Sequence, residues 1–372
     1  MEVKLLLFIS SLEGGGAERV TANLARYWAE KGWQITVVTF TCADTDFFRL
    51  PPSVHRVELG LIGGKKNLIG WIDNNLRRIF SLRRVLRELR PDVALAMMNT
   101  NNIILSFAAR GVSDLVVVGS ERTYPPRVPL GFFLEWLRSW SYGSLSGLVA
   151  QTAKSAEWLQ QHCRIQRMET IPNALTWPLS TQEPVVELPP QLKGRKVLLA
   201  VGRLSAEKCF DSLITTFSQI ARDYPDWILV ILGEGPERVK LERQISNASL
   251  PDCIMLPGQV GNIGQWYEAS DLYVMSSRFE GFPNSLLEAM ACGLAVVSFD
   301  CDTGPRDIIR HNIDGVLVTP GDFQVLRTAL VRLMRDGVLR QEYGDEAKNV
   351  IERFSIEVIA ERWEKLFLEI RG

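Results

Sequence analysis

Two carboxylates stand eight residues apart in RFEGFPNSLLEAMACG: Glu280 and Glu288. Between them lie the turn Gly281-Phe282-Pro283 and an apolar stretch that opens with Asn284. A pair of acids invites an acid/base reading, but the spacing argues against it. Eight residues of helix rise ~12 Å, whereas carboxylates flanking one glycosidic bond stand about 5 to 9.5 Å apart. Glu280 and Glu288 are therefore expected to touch separate parts of one elongated ligand. DLYVMSS before them reads as a buried strand, and Arg278 to Phe282 as the turn at its carboxyl end. Pro283 fits the first helical position, and NSLLEAMACG fills about three turns to a terminal glycine. Such a helix start points free amides and a positive dipole end at a phosphate. A nucleotide-sugar has the required shape, with hydroxyls at both ends and a diphosphate between. Taken alone, the stretch is better served by the ordinary reading of one acid at a helix start and one at a core edge; the other motifs tip it toward a ligand.

Other segments place further groups at strand ends. In VGRLSAEKCFDSL a strand ends at Gly202, and Arg203 and Lys208 follow before a helix. Paired cations there suit a diphosphate, against an even chance of ordinary surface charge. GEGPERVKLERQI repeats the pattern with Gly233 and Gly235, whose missing side chains would let a ligand approach the backbone, and Pro236 fits a first helical position. Near the start, Gly14-Gly15-Gly16 follows an apolar strand. The dinucleotide fingerprint needs a glycine where Arg19 stands, and an acid where Phe40-Thr41-Cys42 ends the second strand. NAD binding is thus disfavoured, while Gly15 and Gly16 still suit close approach to an anionic or polar ligand. Three histidines and six scattered cysteines show no ligand or redox spacing. No metal site is expected, and a reducing compartment is the simplest setting.

The elements that must carry these groups alternate. VKLLLFIS, a glycine turn, TANLARYWAEKG and ITVVTF form a strand–helix–strand unit closed by Gly32. DVALAMM, LVVVGS and GLVAQT continue it. From Pro172 to Lys196 proline and polar residues replace periodicity, which reads as a linker over 176–195. A second set follows with VLLAVGRL, WILVILGEG, CIMLPG, LYVMSS, LAVVSFD and DGVLVTPGD. The expected architecture is α/β: two tandem Rossmann-like doubly wound domains, 1–175 and 196–354, facing each other across a cleft. A length of 372 residues fits two cores. The net charge of -1 gives no global pull toward nucleic acid. The apolar start is too short for a signal peptide, and no run reaches the ~18 residues of a membrane span.

Together these motifs resemble the retaining glycosyltransferases of family 4, with GT-B architecture. The resemblance covers most of the chain: the glycine turn, GRLSAEK, GEGPE, EGFPNSLLEAMACG, TGPRDII and NIDGVLVTPGD, in that order. It implies that Glu280 contacts the donor sugar, Glu288 the nucleotide ribose, and Arg203 and Lys208 the departing diphosphate. Gly202, Gly233, Gly235, Gly281, Phe282, Pro283 and Asn284 then belong to the donor site, together with Gly15 and Gly16. It implies retention of configuration and a UDP-sugar donor carrying a hexose or N-acetylhexosamine. No covalent nucleophile is apparent, so same-face displacement within an ion pair is the working mechanism. No cofactor is expected, and the cations take the place of a divalent metal. Relatives often carry a histidine where Arg122 stands; an arginine binds a sugar or phosphate but is no base. Glu121 is expected to orient it. FSIEVIAERWEKLF resembles the family's closing helix, 355–372, which returns to the first domain.

The stretch GGKKNLIGWIDNNLRRIFSLRRVLRELRPD holds Lys65, Lys66, Arg77, Arg78, Arg83, Arg84, Arg87 and Arg90 against Asp73, Glu88 and Asp92. A basic amphipathic helix suits anionic lipid or acceptor phosphates; taken by itself, the better reading is a helix that packs its apolar face on the domain and leaves its arginines in water. The resemblance extends to bacterial transferases that lengthen polyprenyl-diphosphate-linked glycans. The expectation is an acceptor of that kind and peripheral association with the cytoplasmic face of the inner membrane, through Arg77, Arg78, Arg83 and Arg84. Rival readings are a nucleotide-sugar epimerase of the same architecture, separable by incubating donor alone, and a non-catalytic nucleotide-sugar-binding protein.

Overall fold

The computed structural model describes residues 3–61, 68–248 and 252–372. The chain divides into two compact units, Met1–Ala174 with Ile356–Gly372, and Leu175–Ser355. The first unit runs β1 (Lys4–Phe8), α1 (Gly16–Glu30), β2 (Gln34–Thr39), β3 (His55–Glu58), α2 (Leu68–Leu89), β4 (Val93–Met97), α3 (Asn99–Ala108), β5 (Val116–Glu121), α4 (Phe132–Ser141), β6 (Gly147–Ala150), α5 (Ala153–His162) and β7 (Met168–Thr170). Its seven parallel strands lie in the order β3-β2-β1-β4-β5-β6-β7. The order reverses beside β1, as in a doubly wound fold.

The second unit runs β8 (Lys196–Val201), α6 (Phe210–Ser218), β9 (Trp227–Leu232), α7 (Arg238–Asn247), β10 (Ile254–Gly258), α8 (Ile263–Glu268), β11 (Leu272–Met275), α9 (Asn284–Ala291), β12 (Val296–Phe299), α10 (Pro305–Ile308), β13 (Gly315–Val318), α11 (Phe323–Arg335), α12 (Gly337–Ala347) and α13 (Val350–Phe354). Its sheet, order β10-β9-β8-β11-β12-β13, is parallel and reverses beside β8. β4, β9 and β12 are buried along their whole length. That is why they read as unbroken apolar runs: helices cover both faces of a parallel sheet. β3 and β7 give no such run. Both are edge strands, and HRVE and MET are only half-buried.

The last helix, α14 (Ile356–Arg371), belongs to the first unit. Trp363 and Phe367 are buried, and Phe367 lies 6.0 Å from Trp28. The Glu364 carboxylate accepts from the Trp28 indole at 3.1 Å and from Lys31 at 2.7 Å. Residues 176–195, expected as a linker, are fastened to the second unit. The Gln182 amide donates to Gly261 O and the Gly261 amide to Pro184 O. Buried Asn262 binds both the N–H and the C=O of Val186 at 3.0 Å, as a neighbouring strand would. A proline-rich stretch satisfied by side-chain amides carries no periodicity, so it reads as a linker.

Candidate active site

The second unit gathers most of the expected residues at the carboxyl ends of β8, β9 and β11. After β8 the chain turns through Gly202 and exposed Arg203, buries Leu204, and makes a short 3-10 turn over Ala206–Lys208. Cys209 then takes a left-handed φ of 53° before α6. A non-glycine residue there is strained and needs the surroundings to hold it. They do so: the Arg278 amide donates to Glu207 O at 2.8 Å, and Ser276 Oγ to Lys208 O at 2.8 Å. The loop is thereby tied to the turn that carries Glu280. Across that tie Lys208 Nζ donates to Glu280 Oε1 at 2.6 Å, both side chains mostly withdrawn from water. Thr303, itself buried, donates to the Glu280 carbonyl at 2.5 Å.

α9 starts at Asn284, and Pro283 is its extended N-cap, φ −74° and ψ 112°. The expectation of Pro283 in the first helical position is off by one. Pro236 likewise lies before α7, which starts at Arg238. Glu288 sits in the second turn of α9, buried, where Tyr267 Oη donates to Oε2 at 3.2 Å. Tyr273 Oη donates to Ser285 Oγ at 2.9 Å, beneath the helix start. Glu280 is thus held by Lys208 and Glu288 by Tyr267. Phe282 is buried against Phe354, ring centroids 5.4 Å apart.

The glycines divide in a way the sequence does not show. A side chain on Gly233, φ +137°, would stand 2.0 Å from Gly202 O, and one on Gly235 would stand 2.4 Å from Leu204 O. The space reserved for a ligand in the sequence reading is filled by the neighbouring GRLS loop, clamped by Leu204 N–H to Glu234 O and Glu237 N–H to Leu204 O, both at 2.9 Å. Gly202 is different: a side chain there meets only Lys208 and Phe210 at 3.4 Å.

In the first unit Gly15 caps α1, with Gly14 at φ +143°. The Glu18 carboxylate lies over Gly15, 2.1 Å from where a side chain would start. An acid already occupies this helix start, so it suits hydroxyl groups better than phosphate. Glu121 does not orient Arg122. Successive strand residues point to opposite faces, and Glu121 turns inward to accept from Tyr142 Oη at 2.5 Å, while Asn102 donates to the same hydroxyl at 3.2 Å. Burial pushes the Glu121 carboxyl up to about 7, partly offset by the Tyr142 hydrogen bond and Arg138. Arg122 is buried and donates to Ser120 Oγ at 3.3 Å and to Asn173 Oδ1. Gln151 donates to the same Asn173 oxygen at 2.6 Å. Burial lowers Arg122 to about 10, which leaves it charged at neutral pH. Sequence reasoning missed Asn173 and Gln151. The signal was their place just beyond β7 and β6, where ligands collect in such sheets.

The basic helix is split. Arg78 donates to Leu61 O at 3.0 Å and lies over Phe40, and Arg83 donates to Phe107 O at 2.6 Å and to Ala108 O at 3.1 Å. Those two hold the fold together. Arg77 and Arg84 are exposed, each in an ion pair one turn on or back, with Asp73 and Glu88. Lys65 and Lys66 lie outside the described residues. Among the described residues no group of three or more His, Cys, Asp or Glu is placed to hold a metal ion, and no helix is long and apolar enough to cross a membrane.

Two parallel-sheet α/β units in tandem, one carrying these loops, define a glycosyltransferase of GT-B type. The description "Glycosyltransferase Family 4" matches residues 14–176 and "Glycosyl transferases group 1" matches residues 188–350, and the chain belongs to this family. It is 35% identical over 292 residues to an exopolysaccharide phosphotransferase of Streptomyces coelicolor, covering 78% of this chain and 30% of that one. The phosphotransferase name belongs to the whole of that longer protein. It is 23% identical over 374 residues, 100% of this chain and 99% of the other, to a Campylobacter jejuni α-1,4-N-acetyl-D-galactosaminyltransferase acting on a GalNAc-GalNAc-diNAcBac-PP-undecaprenol acceptor. Among solved structures, a Staphylococcus aureus TarM mutant in complex with fondaparinux, α-GlcNAc-glycerol and UDP matches with a TM-score of 0.79 at 15% identity, over 98% of this chain and 99% of that one. That likeness concerns the fold alone.

Proposed function

We propose that the chain is a retaining glycosyltransferase that moves a hexose or N-acetylhexosamine from a UDP-sugar to a polyprenyl-diphosphate-linked glycan. The observation that carries this reading is the Lys208–Glu280 pair, 2.6 Å, fixed beside the start of α9 with Glu288 buried one turn further on. The relative acting on a PP-undecaprenol glycan and the UDP-bound structural neighbour support the acceptor and donor classes.

In this reading the Glu288 carboxylate takes the ribose hydroxyls, with Tyr267 as its brace. Arg203, Lys208 and the amides of α9 receive the diphosphate. The bond between the sugar's anomeric carbon and the phosphate oxygen breaks, and negative charge grows on the departing UDP. Preorganised cations and amides act most strongly at that point. Glu280 holds a hydroxyl of the donor sugar and fixes Lys208 toward the leaving oxygen. The acceptor hydroxyl attacks the same face, and its proton passes to the phosphate oxygen as it leaves. Arg122, held by Asn173, serves an acceptor hydroxyl or phosphate. Gly15 and Gly16 offer amides to sugar hydroxyls. The cations stand in for a divalent metal, so turnover is expected to persist in EDTA.

The protein is placed by this reading as a peripheral enzyme on the cytoplasmic face of the inner membrane, drawn to anionic lipid. The test is a panel of UDP-sugars with a polyprenyl-diphosphate-linked saccharide, the product's anomeric configuration being read by NMR. An α-linked product from an α-donor is expected. An inverted product, a trapped glycosyl-enzyme adduct, or conversion of donor without acceptor would each sink the mechanism.

A further inference from the structure

α4 is built inside out. Its buried positions are Arg138 and Ser141, with Arg138 only 1% exposed, while Phe132 is 93%, Trp136 57% and Trp140 45% exposed. Arg138 is ion-paired to Glu135 and lies over the Trp158 ring, and Leu137 packs on the core beside it, so this side of α4 faces the unit. The outward rings are not scattered. Phe133 and Trp136 stand 6.2 Å apart, and Trp136 and Trp140 stack 6.4 Å apart at an interplanar angle of 3°. The ladder continues onto α2, where Trp71 meets Phe133 at 6.2 Å. Folding in water leaves single aromatics exposed, but a continuous stripe of them marks a surface that something covers.

The rim says what covers it. Arg110, itself exposed, lies over the rings of Trp140 and Phe107 at 4.3 and 4.7 Å. α2 carries five arginines against two acids. A second copy docked face to face would set this cationic rim against itself, because a twofold interface is self-complementary. An anionic bilayer matches both parts: Trp and Phe settle at headgroup depth, and arginines meet the lipid phosphates. We propose that the aromatic face of α4, extended by Trp71 of α2, seats in the interfacial region of an anionic membrane. This rests on the peripheral enzyme reading above and moves its contact from the arginines to the rings. Arg78 and Arg83 are spent on backbone carbonyls of the fold.

The test is flotation of the full chain with phosphatidylcholine vesicles, with and without phosphatidylglycerol, comparing wild type, Phe132→Ser with Trp136→Ser, and Phe132→Trp. The double variant is expected to lose about tenfold or more in partitioning to phosphatidylglycerol vesicles, with thermal midpoint and UDP affinity unchanged. Phe132→Trp is expected to float like wild type. Brominated lipid should quench wild-type tryptophan fluorescence more than that of the double variant. A double variant that floats like wild type overturns the proposal. So does a wild type indifferent to vesicles, or a wild-type dimer that the double variant makes monomeric. Phe132→Ser alone, at an almost fully exposed position, keeps the comparison open should the double variant fold poorly. Transfer to a lipid-free saccharide acceptor, measured in parallel, reports the catalytic reading separately from the membrane contact.

Discussion

At the residue scale, the proposed mechanism gives Glu280 and Glu288 different roles. Glu280→Gln loses the ion pair with Lys208 and is expected to cut transfer by about 100-fold or more, with UDP affinity changed only slightly. Glu288→Ala removes a carboxylate braced by Tyr267 and should weaken UDP by about tenfold to 100-fold, since hydrogen bonds to charged groups contribute roughly 1.5–3 kcal/mol. Titration calorimetry with UDP separates the two, and an unchanged affinity in Glu288→Ala would remove that residue from the ribose site. Glu121 makes a different kind of prediction. It titrates near 4.5 when unfolded and about 7 when folded, one oxygen buried without a partner. Between those values the folded state binds more protons, so stability falls as pH climbs from about 4.5 through 7 and then levels. At 1.36 kcal/mol per pH unit the loss is ~3 kcal/mol. Glu121→Gln is expected to flatten the decline in the first unit's urea midpoint.

At the scale of elements, loops packed on loops decide which glycines are structural. Gly235→Ala drives a methyl into the Leu204 backbone and is expected to cost ~3 kcal/mol or more, as severe overpacking does. Gly202→Ala meets only side-chain atoms at 3.4 Å and should leave the melting temperature within a few degrees. If Gly202→Ala nevertheless weakens UDP binding while the fold stands, the missing side chain there serves the ligand. Equal destabilisation by both would refute the division. The sequence presents these glycines as one class because a strand–turn–helix junction looks the same whether its gap receives a ligand or another loop.

At the scale of the whole molecule, the boundary between the units falls where side chains reach the chain, not where composition changes. Asn262→Ala strips both hydrogen bonds from Val186, and at about 1 kcal/mol net per bond the segment 182–186 should loosen. Limited proteolysis is expected to cut it at least several-fold faster, and an unchanged rate would mean that the Gly261 contacts hold it alone. The sequence by itself determined the two alternating α/β sets and the glycine-, proline- and charge-bearing turns at strand ends, with Glu280 before a helix and Glu288 within it. Those follow from short-range rules: apolar runs for strands buried on both faces, glycine and proline at turns, and the fixed rise of a helix. Only the tertiary structure decided that Glu121 faces Tyr142 and Arg122 faces Asn173, that Arg78 and Arg83 pin the fold, that residues 176–195 are fastened, and that α4 wears its aromatics outward. Each depends on partners many positions away in the chain, and no local pattern encodes which distant atom fills a given space.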